Sequence, residues 1–88
     1  MTTNPYEIRL HREAARVYRR LHDPLRARIA PAIDDLANEP RPPGASKLAG
    51  REDYRIRVGD YRIVYAVDDD EHLVLIAKIA HRRDVYRR

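Results

Sequence analysis

Residues 54–67 constrain the chain more than any other stretch. Tyr54-Arg55-Ile56-Arg57-Val58 and Tyr61-Arg62-Ile63-Val64-Tyr65-Ala66-Val67 alternate with the period of a strand, and only Gly59-Asp60 lies between them. A two-residue loop with glycine first is a tight-hairpin signal. A tight turn fixes register, and register fixes which side chains face together. Val58 then falls opposite Tyr61, Arg57 opposite Arg62, Ile56 opposite Ile63, Arg55 opposite Val64, and Tyr54 opposite Tyr65. Tyr54, Ile56, Val58, Tyr61, Ile63 and Tyr65 share one face, the side suited to a core. Arg55, Arg57 and Arg62 share the other.

Like charges directly opposite weaken a sheet, where a matched pair would contribute ~0.2–1 kcal/mol. Three guanidinium groups on one face suit a ligand rich in oxyanions, because each planar fork grips phosphate oxygens two at a time. The alternative is that they cover a solvent face or pair with Glu52, Asp53 or Asp84. Composition bears on the choice. The chain has 18 basic and 14 acidic residues, net +4, and all the basic ones except Lys47 and Lys78 are arginine. Four of the acids are the run Asp68 to Glu71; without them the surplus is +8. So large a surplus on 88 residues points to a polyanionic partner, nucleic acid foremost.

The remaining chain supplies a scaffold. Tyr6 to Leu10 alternates as a short strand. From His11 to Leu21 the spacing becomes helical, with Ala14, Val17, Tyr18 and Leu21 on one side. Asp23-Pro24 predicts a restart, Asp as N-cap and Pro at the first helical position. Leu25, Ile29, Ile33 and Leu36 form the stripe of a second helix, and Pro31 predicts a kink by removing the bond to the Ala27 carbonyl. Glu39-Pro40 ends that helix. Arg41 to Gly44 is a stiff connector, and Lys47-Leu48 a short docking turn. Asp68 to Glu71 makes an exposed acidic turn. Leu73 to Ala80, almost unbroken in apolar character, predicts a central strand covered on both faces. His81 to Arg88 is a basic tail. The predicted architecture is one α+β domain over residues 1–88: an N-terminal strand and a two-helix hairpin packed on a small, mainly antiparallel sheet, in the order β-α-α-β-β-β.

Several chemistries find no support. Without cysteine there is no disulfide framework and no thiolate metal site. His11, His22, His72 and His81 are scattered, with no pair at metal-ligand spacing, and no metal or cofactor is expected. The acidic run lacks the calcium-loop pattern, and no glycine-rich phosphate loop precedes a helix. Ser46 is the only serine and has no evident histidine partner. No apolar run approaches the ~20 residues of a membrane span. Met1 to Tyr6 carries no signal-peptide pattern, so the expected home is the cytoplasm. The tail is more suggestive. His81 can exchange protons near neutrality, Arg82 can stabilise charge on a reacting phosphate, and Tyr86 can stack on an unpaired base.

Three stretches together resemble the RelE/ParE superfamily of toxins: Lys47-Leu48-Ala49-Gly50, the hairpin from Tyr54 to Tyr65, and His81-Arg82-Arg83-Asp84-Val85-Tyr86. The order of elements agrees, so the resemblance spans essentially the whole chain, and the tail leans toward the RelE-like branch. That resemblance implies a metal-free endoribonuclease that cuts mRNA in the ribosomal A site through the RNA's own 2′-hydroxyl, held in check by a cognate antitoxin. It implies RNA contacts for Lys47, Arg55 and Arg57, transition-state stabilisation by Arg62, leaving-group assistance by Arg82 and substrate stacking by Tyr86. Where some relatives carry lysine at the first two hairpin positions, this chain has Arg55 and Arg57. Arginine does not give up its proton in proteins, so the general-base role passes to His81, with Tyr86 second. The other readings are a ParE-like inhibitor of DNA gyrase and a non-catalytic basic protein that pairs with an antitoxin.

Overall fold

The computed structural model of the chain describes residues 5–47 and 53–85. In order, the elements are β1 (Glu7–Leu10), α1 (Arg12–Arg19), α2 (Leu25–Asp35), β2 (Ser46–Lys47), β3 (Asp53–Val58), β4 (Tyr61–Asp68), β5 (Leu73–His81) and α3 (Arg82–Val85). Five strands form one sheet in the order β1-β5-β4-β3-β2. β1 runs parallel to β5, and the other pairings are antiparallel. The α+β arrangement is the predicted one, with one strand more. Ser46-Lys47, read as part of a docking turn, pairs with Arg55 and Tyr54 as an edge strand. Two residues are too few for a period-2 pattern to register.

The hairpin register is as the sequence dictates, from Val58 opposite Tyr61 to Tyr54 opposite Tyr65. Gly59 supplies the left-handed φ of 60° at the turn, a conformation that costs glycine nothing. α1 and α2 cover one face of the sheet. Ala14 and Leu21 from α1 and its trailing residues meet Ile29, Ile33 and Leu36 from the second helix, over Ile56, Ile63, Tyr65, Val74, Ile76 and Ile79 from the sheet. Each large aliphatic side chain buried here contributes about 1.5–3 kcal/mol.

Two local expectations need correcting. Asp23 does not cap α2: Pro24 holds the N-cap position without a side-chain hydrogen bond, and the Asp23–Pro24 peptide is cis. His11 is the side chain that caps a helix, its Nδ1 accepting from the Glu13 N–H at 3.3 Å. α2 is one 11-residue helix that contains Pro31 at an exposed position. Finally, β5 lies between β1 and β4 but is covered on one face only. Val74, Ile76 and Ile79 are buried, while Leu73 and Leu75 remain half-exposed on the side without helices.

The acidic turn is an anchor as well as a solvated loop. Asp69 accepts two hydrogen bonds from Arg41, at 3.0 and 3.3 Å, and one from the Tyr6 hydroxyl at 2.7 Å. Arg41 also donates to the Tyr54 hydroxyl at 2.8 Å, and the buried Tyr65 hydroxyl donates to the Pro40 carbonyl at 2.7 Å. These bonds tie the connector after α2 to the far end of the sheet. Burial, and then the neighbouring Tyr54, push the Tyr65 hydroxyl up to about 12. The Arg41 guanidinium, followed by Tyr6, holds the Asp69 carboxyl below the usual carboxylate range.

Two measurements check this end of the molecule. Tyr65→Phe strands the Pro40 carbonyl and lowers stability by about 1–2 kcal/mol, read as a Tm drop of about 4–8 °C per kcal/mol in thermal melts. The depressed Asp69 carboxyl contributes stability that is present above its unfolded value and lost as pH falls through the folded one. The Tm gap between the wild type and Asp69→Asn, open at pH 7, therefore closes below about pH 4.

Candidate nucleic-acid interface

Cross-strand partners share a face, so the register sorts the charged residues directly. Arg57 stands opposite Arg62, and Arg55 opposite Val64, two positions further along the same face. All three lie on the helix-free side. On the other flank of β4, Arg62 is opposite Ala80 of β5. An arginine beside a methyl group leaves space above the sheet. There the surface opens into a cleft of about 570 Å³ lined by Asp60, Arg62, His81, Arg82 and Arg83.

Arg62 is the unusual member. It is 5% exposed, the only charged residue buried among those described. Its one hydrogen bond runs from Nη1 to the carbonyl of its own neighbour Tyr61, at 3.5 Å, the outer limit for such a bond. No ion pair joins Arg55, Arg57, Arg62 or Arg82 to a carboxylate among the described residues. Pairing with Asp53 is thus not what holds the arginine face together. A guanidinium that is largely buried, with one long hydrogen bond and no ion-pair partner among the described residues, loses part of its hydration, although its other nitrogens still reach solvent at the cleft. An anion entering the cleft would offset that loss.

The chain's return places the tail. The Arg82 N–H donates to the Asp60 carbonyl at 2.6 Å, tying the start of α3 to the β3–β4 turn. That one bond brings Arg82 and Arg83 to the end of the sheet where Arg57 and Arg62 lie. His81 reaches the cleft by another route. It pairs with Tyr61 and so belongs to the helix-facing side; it meets the cleft only because the sheet ends there. Its ring stands edge-on to Tyr61, with centroids 5.6 Å apart and planes at 80°. Its Nδ1 accepts the Arg83 N–H at 3.2 Å. In the neutral ring that bond assigns the proton to Nε2.

Not every expected residue joins this group. Lys47 pairs with Tyr54, so it shares the opposite side of the sheet from Arg55, Arg57 and Arg62. The register of the edge strand, invisible in a two-residue segment, decides this. Tyr86 lies outside the described residues, as do Leu48, Ala49 and Gly50. Two charged residues at this end of the sheet were missed. Asp60, seen in the sequence only as a turn residue, lines the cleft beside the arginines. Arg28 of α2 rests its guanidinium over the hairpin, 3.4 Å from where a Cβ on Gly59 would stand. Nothing in local sequence connects Arg28 to Gly59. Among the described residues no group of three or more His, Cys, Asp or Glu side chains could hold a metal ion, and no helix is long and apolar enough to cross a membrane.

A two-helix layer on one face of a mixed five-stranded sheet is the fold of RelE toxins of type II toxin–antitoxin systems. Comparison with known proteins gives the same answer. The profile of the family described as "ParE toxin of type II toxin-antitoxin system, parDE" matches residues 8–86. Toxin RelG of Mycobacterium tuberculosis is 35% identical over 88 residues, covering 96% of this chain and 99% of that protein. Toxin RelE of the same organism is 36% identical, covering 96% and 89%. Among solved structures, the toxin–antitoxin complex RelBE2 from M. tuberculosis matches with a TM-score of 0.77 at 27% identity, covering 92% of this chain and 95% of that one. The archaeal RelE–RelB complex from Pyrococcus horikoshii OT3 gives 0.78 at 28%, covering 89% and 96%. The chain belongs to the RelE/ParE superfamily and is a toxin of a type II toxin–antitoxin system.

The burial of Arg62 yields a stability test. Arg62→Met keeps the stem's volume and removes the desolvated charge. Chemical denaturation should show the variant more stable than the wild type by about 1–2 kcal/mol, although it has lost a cation from the cleft.

Proposed function

We propose that this toxin is a metal-free endoribonuclease that cuts mRNA on the ribosome. The observation that carries the reading is Arg62: a buried guanidinium without a carboxylate partner among the described residues, on the floor of a cleft bordered by Arg82 and Arg83. Such a site suits a phosphodiester passing through a more highly charged transition state. Arg57 and Arg55, along the same face, would hold phosphates of the neighbouring nucleotides. Arg62 and Arg82 would grip the phosphate that reacts.

In the proposed reaction the 2′-oxygen attacks the adjacent phosphorus, and the bond to the 5′-oxygen breaks. A 2′,3′-cyclic phosphate remains on one fragment and a 5′-hydroxyl on the other. The 2′-hydroxyl proton goes to His81; the departing 5′-oxygen, its charge stabilised by Arg82, takes a proton from water, and the hydroxide left behind is neutralised by the proton that His81 then releases. Nδ1 of His81 is engaged by the Arg83 N–H, so its use as a base requires that single bond to open when RNA enters. Opening it costs about 0.5–1.5 kcal/mol, small beside a chemical barrier. Tyr86 would stack on a base next to the scissile phosphate.

The proposed protein partner is a cognate antitoxin, as in the RelBE2 and RelE–RelB complexes that share this fold. β1 pairs with β5 only as far as Ile76, leaving the last residues of β5 without a paired strand on that side among the described residues. A groove of about 280 Å³ lies there, with Ala14 and Val17 of α1 facing Tyr61, Ile79 and Ala80. It offers apolar docking next to a strand edge. The proposed location is the cytoplasm, where ribosomes and mRNA are found.

A second reading is supported by one specific observation, the match to a family described as ParE toxins. It makes the chain an inhibitor of DNA gyrase. The deciding assay is cleavage of mRNA on programmed ribosomes, mapped by primer extension, beside a gyrase supercoiling assay. The ribonuclease reading predicts site-specific cuts whose rate falls about 10²–10³-fold in Arg62→Ala and falls strongly in His81→Ala. Intact mRNA together with blocked supercoiling would replace it with the gyrase reading.

A further inference from the structure

The toxin has a second basic surface, on the side of the molecule away from the cleft. α1 carries Arg12, Arg16 and Arg19, and Arg20 caps its C-terminus. All four are exposed. At 100° per residue they fall within an arc of about 100°, diametrically opposite the buried Ala14 and Leu21. They therefore point straight away from the sheet, while Arg57 and Arg62 occupy its opposite face. None of the four has an ion-pair partner among the described residues, Glu13 on the same helix included.

Helix stability accounts for part of this arrangement, since Arg16 and Arg19 lie in the last turn and Arg20 at the C-cap, where the helix dipole favours cations; it does not account for the spacing or for Arg12. Arg12 and Arg16, and Arg16 and Arg20, are four apart, and like charges at that spacing destabilise a helix. Arg12 also sits in the first turn, where the helix dipole favours an acid. Nor does the face suit a protein partner. Apart from Ala15 it offers no apolar side chain and no aromatic, whereas protein interfaces are built around apolar and aromatic anchors and are depleted in charge at their centre. Arg12, Arg16 and Arg20 stand about 6 Å apart along the helix axis, with Arg19 between the last two, a spacing that matches the repeat of phosphates along a nucleic-acid strand.

We propose that the arginine ladder of α1 binds the backbone of a double-helical RNA, distinct from the single strand taken by the cleft. The choice of RNA rests on the ribonuclease reading; the ladder's affinity for phosphate does not. With cations on both faces, the toxin can fill a gap between two RNA surfaces, reading shape on one side and presenting its cleft on the other.

The test uses the full chain and a labelled RNA duplex of about 16 base pairs. Its affinity is followed by fluorescence anisotropy across a salt titration, beside a DNA duplex of the same sequence. The ladder variant is Arg12→Gln/Arg16→Gln/Arg19→Gln/Arg20→Gln, with circular dichroism to verify its helix content. The cleft variant is Arg57→Gln/Arg62→Gln. The ladder variant should bind the RNA duplex about tenfold or more weakly at 100 mM salt, its log–log salt slope shallower by about 3. The cleft variant should stay within about twofold of the wild type on the duplex while losing cleavage. A folded ladder variant with wild-type affinity and slope would overturn the proposal. Preference of the wild type for the DNA duplex would overturn the assignment to RNA. Displacement of the RNA by polyglutamate at equal charge concentration would overturn it in favour of an acidic peptide. Duplex binding is read without cleavage, so failure of the ribonuclease reading and failure of the ladder remain distinguishable.

Discussion

One strand carries both halves of this molecule. Along β4, Ile63 and Tyr65 point into the core and Arg62 points out of it, and the tight turn at Gly59 leaves that alternation no freedom to slip. A slip of one residue would put a guanidinium among the aliphatic side chains of α2 and expose the buried tyrosine. The core therefore enforces the register, and the register sets Arg57 against Arg62. Stability and the candidate site are products of the same constraint.

The constraint acts at a cost that falls mostly on Arg62. A strand in the middle of a sheet has neighbours on both sides, and those neighbours desolvate its side chains even on the face without helices. Arg62 pays in lost hydration what Arg57, nearer the edge and exposed, does not. Ala80 on the other flank keeps the space above Arg62 open. The bond from Arg82 to the Asp60 carbonyl then closes the group by bringing the chain's return back to the same turn. At the opposite end of the sheet, Asp69, Arg41 and Tyr6 tie together segments that the core does not reach. Paired charges thus hold one end, while Arg57, Arg62 and Arg82 at the other have no ion-pair partner among the described residues.

What could be read in the sequence was what depends on short spacings. The hairpin from Tyr54 to Tyr65, the arginine face and the apolar stripe Ile29-Ile33-Leu36 follow from alternation, turn length and helical period, and each stands as read. The misjudged features depend on contacts between distant segments. β2 is too short to show a period, so Lys47 was grouped with arginines from which the sheet separates it. Asp69 is exposed as read, but its hydrogen bonds to Arg41 and Tyr6, 28 and 63 residues away, could not be seen in the sequence. Leu73 and Leu75 suggested a strand covered twice, yet half-exposed apolar residues on an open face give the same pattern in a sequence. For His81 the sequence showed an ionisable ring in the right region. Which nitrogen carries the proton depends on the hydrogen bond that Nδ1 accepts from the Arg83 N–H.

The central claim is that Arg57, Arg62 and Arg82 act as one anion site. The most direct measurement is guanidinium NMR: the Nε–H signals of these arginines, followed while a single-stranded RNA with a 2′-deoxy sugar at the scissile position is titrated into the toxin. The account predicts that the three signals shift together, with one common binding curve, and that the Arg62 signal becomes protected from solvent exchange. Separate curves for the three, or an Arg62 signal unmoved at saturation, would contradict it.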